Sequence, residues 1–141
     1  MKMEESKNAL ISIALLIIAL GLLSSCSQNQ SDELEIITIS NEGSFSAEEC
    51  SARGLEGKVI MLESSYCGAC RSTMQNFLDA CKEMNITPII LDLSQSENYQ
   101  KMLDEYKIQI RYTPTFIFGC DYYVGATSKQ EYIRRIETML S

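Results

Sequence analysis

Histidine is absent from all 141 residues, which removes the usual general base at neutral pH and the commonest metal ligand. Serine-protease and papain-like chemistries are excluded with it. Clustered positive charge is lacking too. The 12 lysines and arginines stand singly apart from Arg134 and Arg135, against 19 acidic residues and a formal net charge of −7. Nucleic acid is therefore not an expected partner, because phosphate binding needs grouped cations. Zinc takes four ligands, and neither a second CxxC nor any histidine accompanies Cys67 and Cys70 to complete such a site. No repeat or low-complexity segment occurs. The longest apolar run, at 9 to 23, spans about 15 residues, short of the roughly 20 that a membrane helix needs.

What is present fits one globular domain with an appended leader. The apolar fraction is 45% and the charged fraction 22%, both near the averages of ordinary soluble domains. The run at 9 to 23 (ALISIALLIIALGLL) follows Lys2 and Lys7 and suits the apolar region of an export signal. Glu4 and Glu5 depart from that pattern by cancelling the two lysines. Leu23, Ser24, Ser25 and Cys26 follow directly and resemble the lipobox of prokaryotic lipoproteins. By that resemblance Cys26 carries a diacylglyceryl thioether, and two acyl chains hold a protein stably on a bilayer. An uncleaved N-terminal anchor with Cys26 as a bystander is the alternative, and both readings put the domain outside the cytoplasm. The expected organisation is a signal peptide at 1 to 25, the lipidated cysteine and a polar tether at 26 to 33, and a domain at 34 to 141.

Within the domain, strand-like and helix-like patterns alternate. LEIITIS at 34 to 40 reads as a strand, and Ser46 with Glu49 forms a capping box that opens a short helix. KVIML at 58 to 62 reads as a buried strand. Cys70, Met74, Phe77, Leu78 and Cys81 then fall on one helical stripe. A strand is expected at 87 to 93 (TPIILDL), followed by a helix capped by Ser94 and Glu97 with Tyr99, Met102, Leu103 and Tyr106 on its apolar face. TFIF at 115 to 118 and DYYV at 121 to 124 read as an antiparallel hairpin turning at Gly119 and Cys120. Ser128 and Glu131 cap a last helix bearing Ile133, Ile136 and Leu140. The predicted order is β-α-β-α-β-α-β-β-α, a central mixed sheet flanked by helices.

The chemistry centres on Cys67-Gly68-Ala69-Cys70, set between an apolar strand and the start of a helix. Two intervening residues at a helix start bring the sulfurs within disulfide reach, and the helix N-terminus favours thiolate over thiol. An inert structural disulfide is the bland alternative. Downstream, Thr113 and Pro114 precede a strand. With both features in this order, the chain from about Leu34 to Leu140 resembles the thioredoxin-like family.

That resemblance implies a cofactor-free thiol–disulfide oxidoreductase. Cys67 would be the attacking thiolate, Cys70 the resolving thiol and Pro114 a cis-proline facing both. Tyr66 is the aromatic residue before the first cysteine, the backbone of Thr113 would bind an extended substrate segment, and Gly125 matches a family glycine. Two departures stand out: Met61 occupies the position of the family's buried acid, and the dipeptide is Gly-Ala rather than Gly-Pro.

Side chains alternate along a strand, so Glu63 lies on the side of Met61, one step nearer the cysteines. It is a candidate proton acceptor for Cys70, with a solvated Glu63 past the strand end as the alternative. Of the remaining cysteines, Cys81 is expected in the core. With Cys26 lipidated, Cys50, Cys81 and Cys120 are an odd set in which Cys120, at the hairpin turn, is the expected exposed thiol.

The expected partners are protein substrates bearing disulfides or dithiols, and the lipid membrane through Cys26. No histidine in the dipeptide stabilises the thiolate further, which points to a reductant supplied by a membrane thiol reductase. An oxidase or isomerase, and a redox-silent binding module, are the rival readings.

Overall fold

The computed structural model describes residues 33 to 141; the segments expected to be an export signal, a lipobox with Cys26 and a tether lie outside the described residues. The elements are β1 (Ile37–Ile39), β2 (Gly43–Ser44), α1 (Ala47–Ala52), β3 (Val59–Glu63), α2 (Gly68–Glu83), β4 (Ile89–Asp92), α3 (Ser96–Asp104), β5 (Ile108–Ile110), β6 (Thr115–Phe118), β7 (Asp121–Val124) and α4 (Lys129–Leu140). Every helix and strand expected from the sequence is present. Two short strands, β2 and β5, are additional, and two or three residues are too few for periodicity to register.

A five-stranded mixed sheet runs β2-β7-β6-β3-β4, while β1 and β5 form a separate parallel pair. β3 is central, parallel to β4 and antiparallel to β6. Its side chains alternate between two cores. Ile60 and Leu62 pack with Leu91, Met102, Tyr106, Ile108 and Ile117 on one face. Val59 and Met61 pack with Cys70, Phe77, Phe116, Phe118, Tyr132 and Ile136 on the other. Burying a large aliphatic side chain contributes about 1.5–3 kcal/mol, against about 1 kcal/mol net for a hydrogen bond. Four enclosed side chains and ladders on both edges thus contribute comparably to holding β3 central.

α2 buries Cys70, Thr73, Phe77, Ala80 and Cys81, with Met74 and Leu78 half-buried beside them. Phe77 meets Phe116 at 4.9 Å and Tyr132 at 5.5 Å between ring centroids. Tyr132, the key buried residue of α4, has its hydroxyl 2.7 Å from Thr73 Oγ1 and accepts from the Thr127 amide. Leu140, expected on the buried stripe of α4, is instead exposed at the helix end.

Of the three capping boxes expected, one is complete: Ser46 and Glu49 bond reciprocally. At α4, Ser128 accepts from the Glu131 amide, but the Glu131 carboxylate turns to Arg134 and Arg135. At α3 the N-cap is Gln95 rather than Ser94. The Ser94 hydroxyl donates to Asp92 instead, at 2.6 Å.

Cys120 is not a free thiol. It is bonded to Cys50, with the Cα atoms 5.2 Å apart, and joins α1 to the β6–β7 turn. At that turn Gly119 has φ +60°, and an added Cβ would come 2.9 Å from Met139 Cγ. Cys81 is the free cysteine among the described residues, and burial pushes its thiol up to about 11.

The Cys50–Cys120 bond spans 70 residues of sequence, a long loop to leave open in the unfolded chain. Replacing both cysteines with alanine is expected to lower the unfolding free energy by roughly 2–5 kcal/mol, read as a fall in the urea midpoint. An unchanged midpoint would deny the bond a stabilising role.

Candidate active site

β3 emerges from the core at Glu63, and a turn over Ser64, Ser65 and Tyr66 leads into α2. Cys67 is the N-cap of that helix, with extended backbone angles. Its sulfur therefore occupies the place where an N-cap side chain collects the helix's unpaired amides, and the Cys70 N–H points at it from 3.0 Å. Cys67 is bonded to Cys70, their Cα atoms 5.2 Å apart. The two differ in access: Cys70 is fully buried, whereas Cys67 is half-buried.

The second wall is the segment at 111 to 114. The Thr113–Pro114 peptide is cis, and the Thr113 carbonyl oxygen lies 3.4 Å from the Cys67 sulfur, close enough to accept from a thiol there. The segment is held at both ends. The Arg111 amide donates to the Ile39 carbonyl, extending the β1–β5 pair, and the Gly125 amide donates to the Pro114 carbonyl. Thr115 Oγ1 donates to the Tyr112 carbonyl at 2.7 Å. Tyr66 projects beside this wall, 87% exposed. Cys67, Cys70, Tyr66, Thr113 and Pro114 thus meet at one end of the sheet, where α2 begins. The fold is thioredoxin-like.

Solved structures similar to this chain include a poplar thioredoxin h, 20% identical over 67% of this chain and 86% of its own, with a TM-score of 0.46. A chloroplastic thioredoxin z is 15% identical over 75% and 95%, with a TM-score of 0.47. A thiol:disulfide interchange protein of the thioredoxin family from Chlorobium tepidum is 17% identical over 74% and 97%, with a TM-score of 0.39. No protein-family model and no curated protein matches the sequence.

Two carboxylates flank the site and behave oppositely. Glu63, the last residue of β3, is half-buried, and strand alternation gives it the side of Met61. Burial, and then the neighbouring charge of Asp92, raise its pKa. Asp92 lies opposite Glu63 in the β3–β4 register and is not among the residues that the sequence motifs mark. It accepts the Ser65 amide at 3.1 Å and the Ser65 hydroxyl. It also accepts the Ser94 amide at 3.0 Å and the Ser94 hydroxyl. These bonds, those of Ser65 first, hold its carboxyl far below the usual range. Asp92 followed two residues later by Ser94 is a local side-chain-to-amide pattern that could have signalled half of this arrangement. The partner Ser65, 27 residues away, carries no such signal. Arg71 completes the brace, donating to the Ser65 carbonyl at 3.0 Å.

Asp92 has a folded pKa below its unfolded value, so its contribution is present above the unfolded pKa and is lost only as pH falls through the folded one. The amide resonances of Ser65 and Ser94 should accordingly stay constant through the ordinary Asp range near about 3.9 and move only at lower pH. A midpoint near 4 would contradict this bonding pattern.

Proposed function

We propose that this chain is a membrane-anchored thiol–disulfide oxidoreductase acting outside the cytoplasm on protein substrates. The observation that carries the reading is the asymmetric dithiol: Cys67, reachable and facing a helix-terminal amide, paired with a fully buried Cys70. Acting as a reductant, the Cys67 thiolate attacks one sulfur of a substrate disulfide. An S–S bond forms between Cys67 and that sulfur, and the other substrate sulfur leaves as thiolate. Cys70 then loses its proton and attacks the Cys67 sulfur. The Cys67–Cys70 disulfide forms, the second substrate thiolate leaves, and two electrons have passed to the substrate. Tyr66, Thr113 and Pro114 border the path by which an extended substrate approaches.

Glu63 is our candidate acceptor for the Cys70 proton. Its place at the end of β3, on the side of Met61 by alternation, and its raised pKa support the assignment. The Gly-Ala dipeptide, with no histidine to stabilise the thiolate, supports the reducing direction, which makes a membrane thiol reductase the source of electrons. The Cys50–Cys120 disulfide supports a site outside the reducing cytoplasm. The lipobox-like Leu23, Ser24, Ser25 and Cys26 supports lipid anchoring.

In cells, Cys70→Ser is expected to accumulate mixed disulfides through Cys67, and Cys67→Ser to accumulate none. Equal trapping by both, or none by either, would favour a redox-silent binding module. Adding Glu63→Gln to the wild-type dithiol should slow resolution of the mixed disulfide about tenfold or more while leaving the initial attack nearly unchanged. A wild-type resolution rate would return the proton to bulk water.

Cys26→Ala should release the protein from membranes or leave an unprocessed precursor. Membrane attachment with unchanged mass would refute lipidation.

A further inference from the structure

A groove of about 330 Å³ opens beside the dithiol, lined in part by Thr113, the residue whose carbonyl faces Cys67. That volume sits at the small end of ligand sites, which run from roughly 300 to 1,000 Å³, and accommodates one or two side chains. Apolar and aromatic side chains share the lining with Ser64, Ser94, Arg111 and Thr113. Leu93, Tyr99 and Ile110 are half-buried along it, while Tyr66 and Tyr112 stand exposed, 87% and 55%. Large exposed aromatics bordering an apolar recess mark a recognition surface, since each ring offers wide contact area at little conformational cost.

Charge narrows the occupant further. Arg111 is the one charged residue lining the groove. It is exposed and makes no ion pair among the described residues. No acidic residue lines the groove, although the whole chain carries a net charge of −7. Asp92 stays charged under its bonds from Ser65 and Ser94, and it does not line the groove. Glu63 is withdrawn into the sheet and half-buried. The groove therefore combines a partly aromatic wall with an unpaired cation, in an acidic molecule.

We propose that this groove selects the substrate. It takes an extended protein segment that carries an aromatic or large aliphatic residue within two positions of its reacting cysteine, and an Asp or Glu beside that residue to pair with Arg111. In an extended chain, residues two apart share a face and lie about 7 Å from one another. A cysteine bonded to Cys67 thus sets its second neighbour over the slot, and the intervening residue turns away. The inference rests on the oxidoreductase reading, because it supposes that Cys67 engages a substrate sulfur.

The test uses full-length Cys70→Ser protein and synthetic peptides whose single cysteine is activated as a mixed aryl disulfide. The second-order rate of attack by Cys67 is followed by release of the aryl thiolate. A peptide with Phe two residues from cysteine and Asp adjacent to Phe should react about tenfold faster than its Gly analogue, from partial burial of the ring. Changing that Asp to Lys should slow it about threefold. Tyr112→Ala should collapse the Phe-to-Gly rate ratio, and Arg111→Gln should collapse the Asp-to-Lys ratio while leaving the Phe preference in place. Equal rates for all peptides, or preferences that survive both substitutions, would overturn the proposal. Failure of Cys67 to react even with a small aryl disulfide would instead overturn the exchange chemistry. In that event calorimetric binding of the cysteine-to-serine peptides, with the same ranking expected, reads the groove independently. No ranking there would overturn the groove assignment as well.

Discussion

A strand buried on both faces and paired on both edges can carry no free polar group until it leaves the core, and β3 is such a strand. Val59 through Leu62 are enclosed, so the chain's first opportunity for chemistry is at Glu63 and the turn after it. α2 has to start there because its own apolar stripe is committed to the face that Val59 and Met61 present. Cys67 inherits its place from these two commitments: it is the residue left at the helix's first unpaired amides. The reactive position is therefore a by-product of core packing on either side of the sheet, and the site is only as well defined as that packing.

Long, strongly patterned elements are legible in the amino-acid sequence alone. β3, α2 and the β6–β7 hairpin fall where periodicity puts them, and the CxxC followed by Thr113-Pro114 carries the resemblance that locates the site. What escapes is decided across space. Ser94 reads as a helix cap because a serine three residues before a glutamate fits the pattern, but Asp92, two residues back, takes its hydroxyl first. Cys120 reads as an exposed thiol because a hairpin turn is normally solvated; nothing local announces that Cys50, 70 residues earlier, lies beneath it. Leu140 fits the stripe of α4 by spacing, yet the helix runs out of protein to cover it. Arg53, unremarkable in the sequence, is almost wholly buried and donates to the carbonyls of Glu35, Tyr106 and Lys107.

The two acids divide the labour. Asp92 has its oxygens occupied by serine donors and stays charged, a fixed brace for the turn that carries Tyr66. Glu63 sits in a less polar place and is the easier of the two to protonate. Each disulfide joins one fully buried cysteine, Cys70 or Cys50, to one half-buried cysteine, Cys67 or Cys120. Thiol exchange is governed by access as much as by thiolate character.

The separate β1–β5 pair has a mechanical side. Any tension borne by the residues before Glu33 enters the domain through β1, whose three residues lie alongside Ile108, Gln109 and Ile110 in parallel register. Parallel strands pulled lengthwise load their hydrogen bonds together, in shear, rather than one by one. The next bond in that line joins Ile39 to Arg111, at the lip of the groove beside the dithiol. The point where the domain takes up strain at β1 is thus coupled directly to the wall that faces Cys67, and a pull there would be felt at the groove before it reached the central sheet.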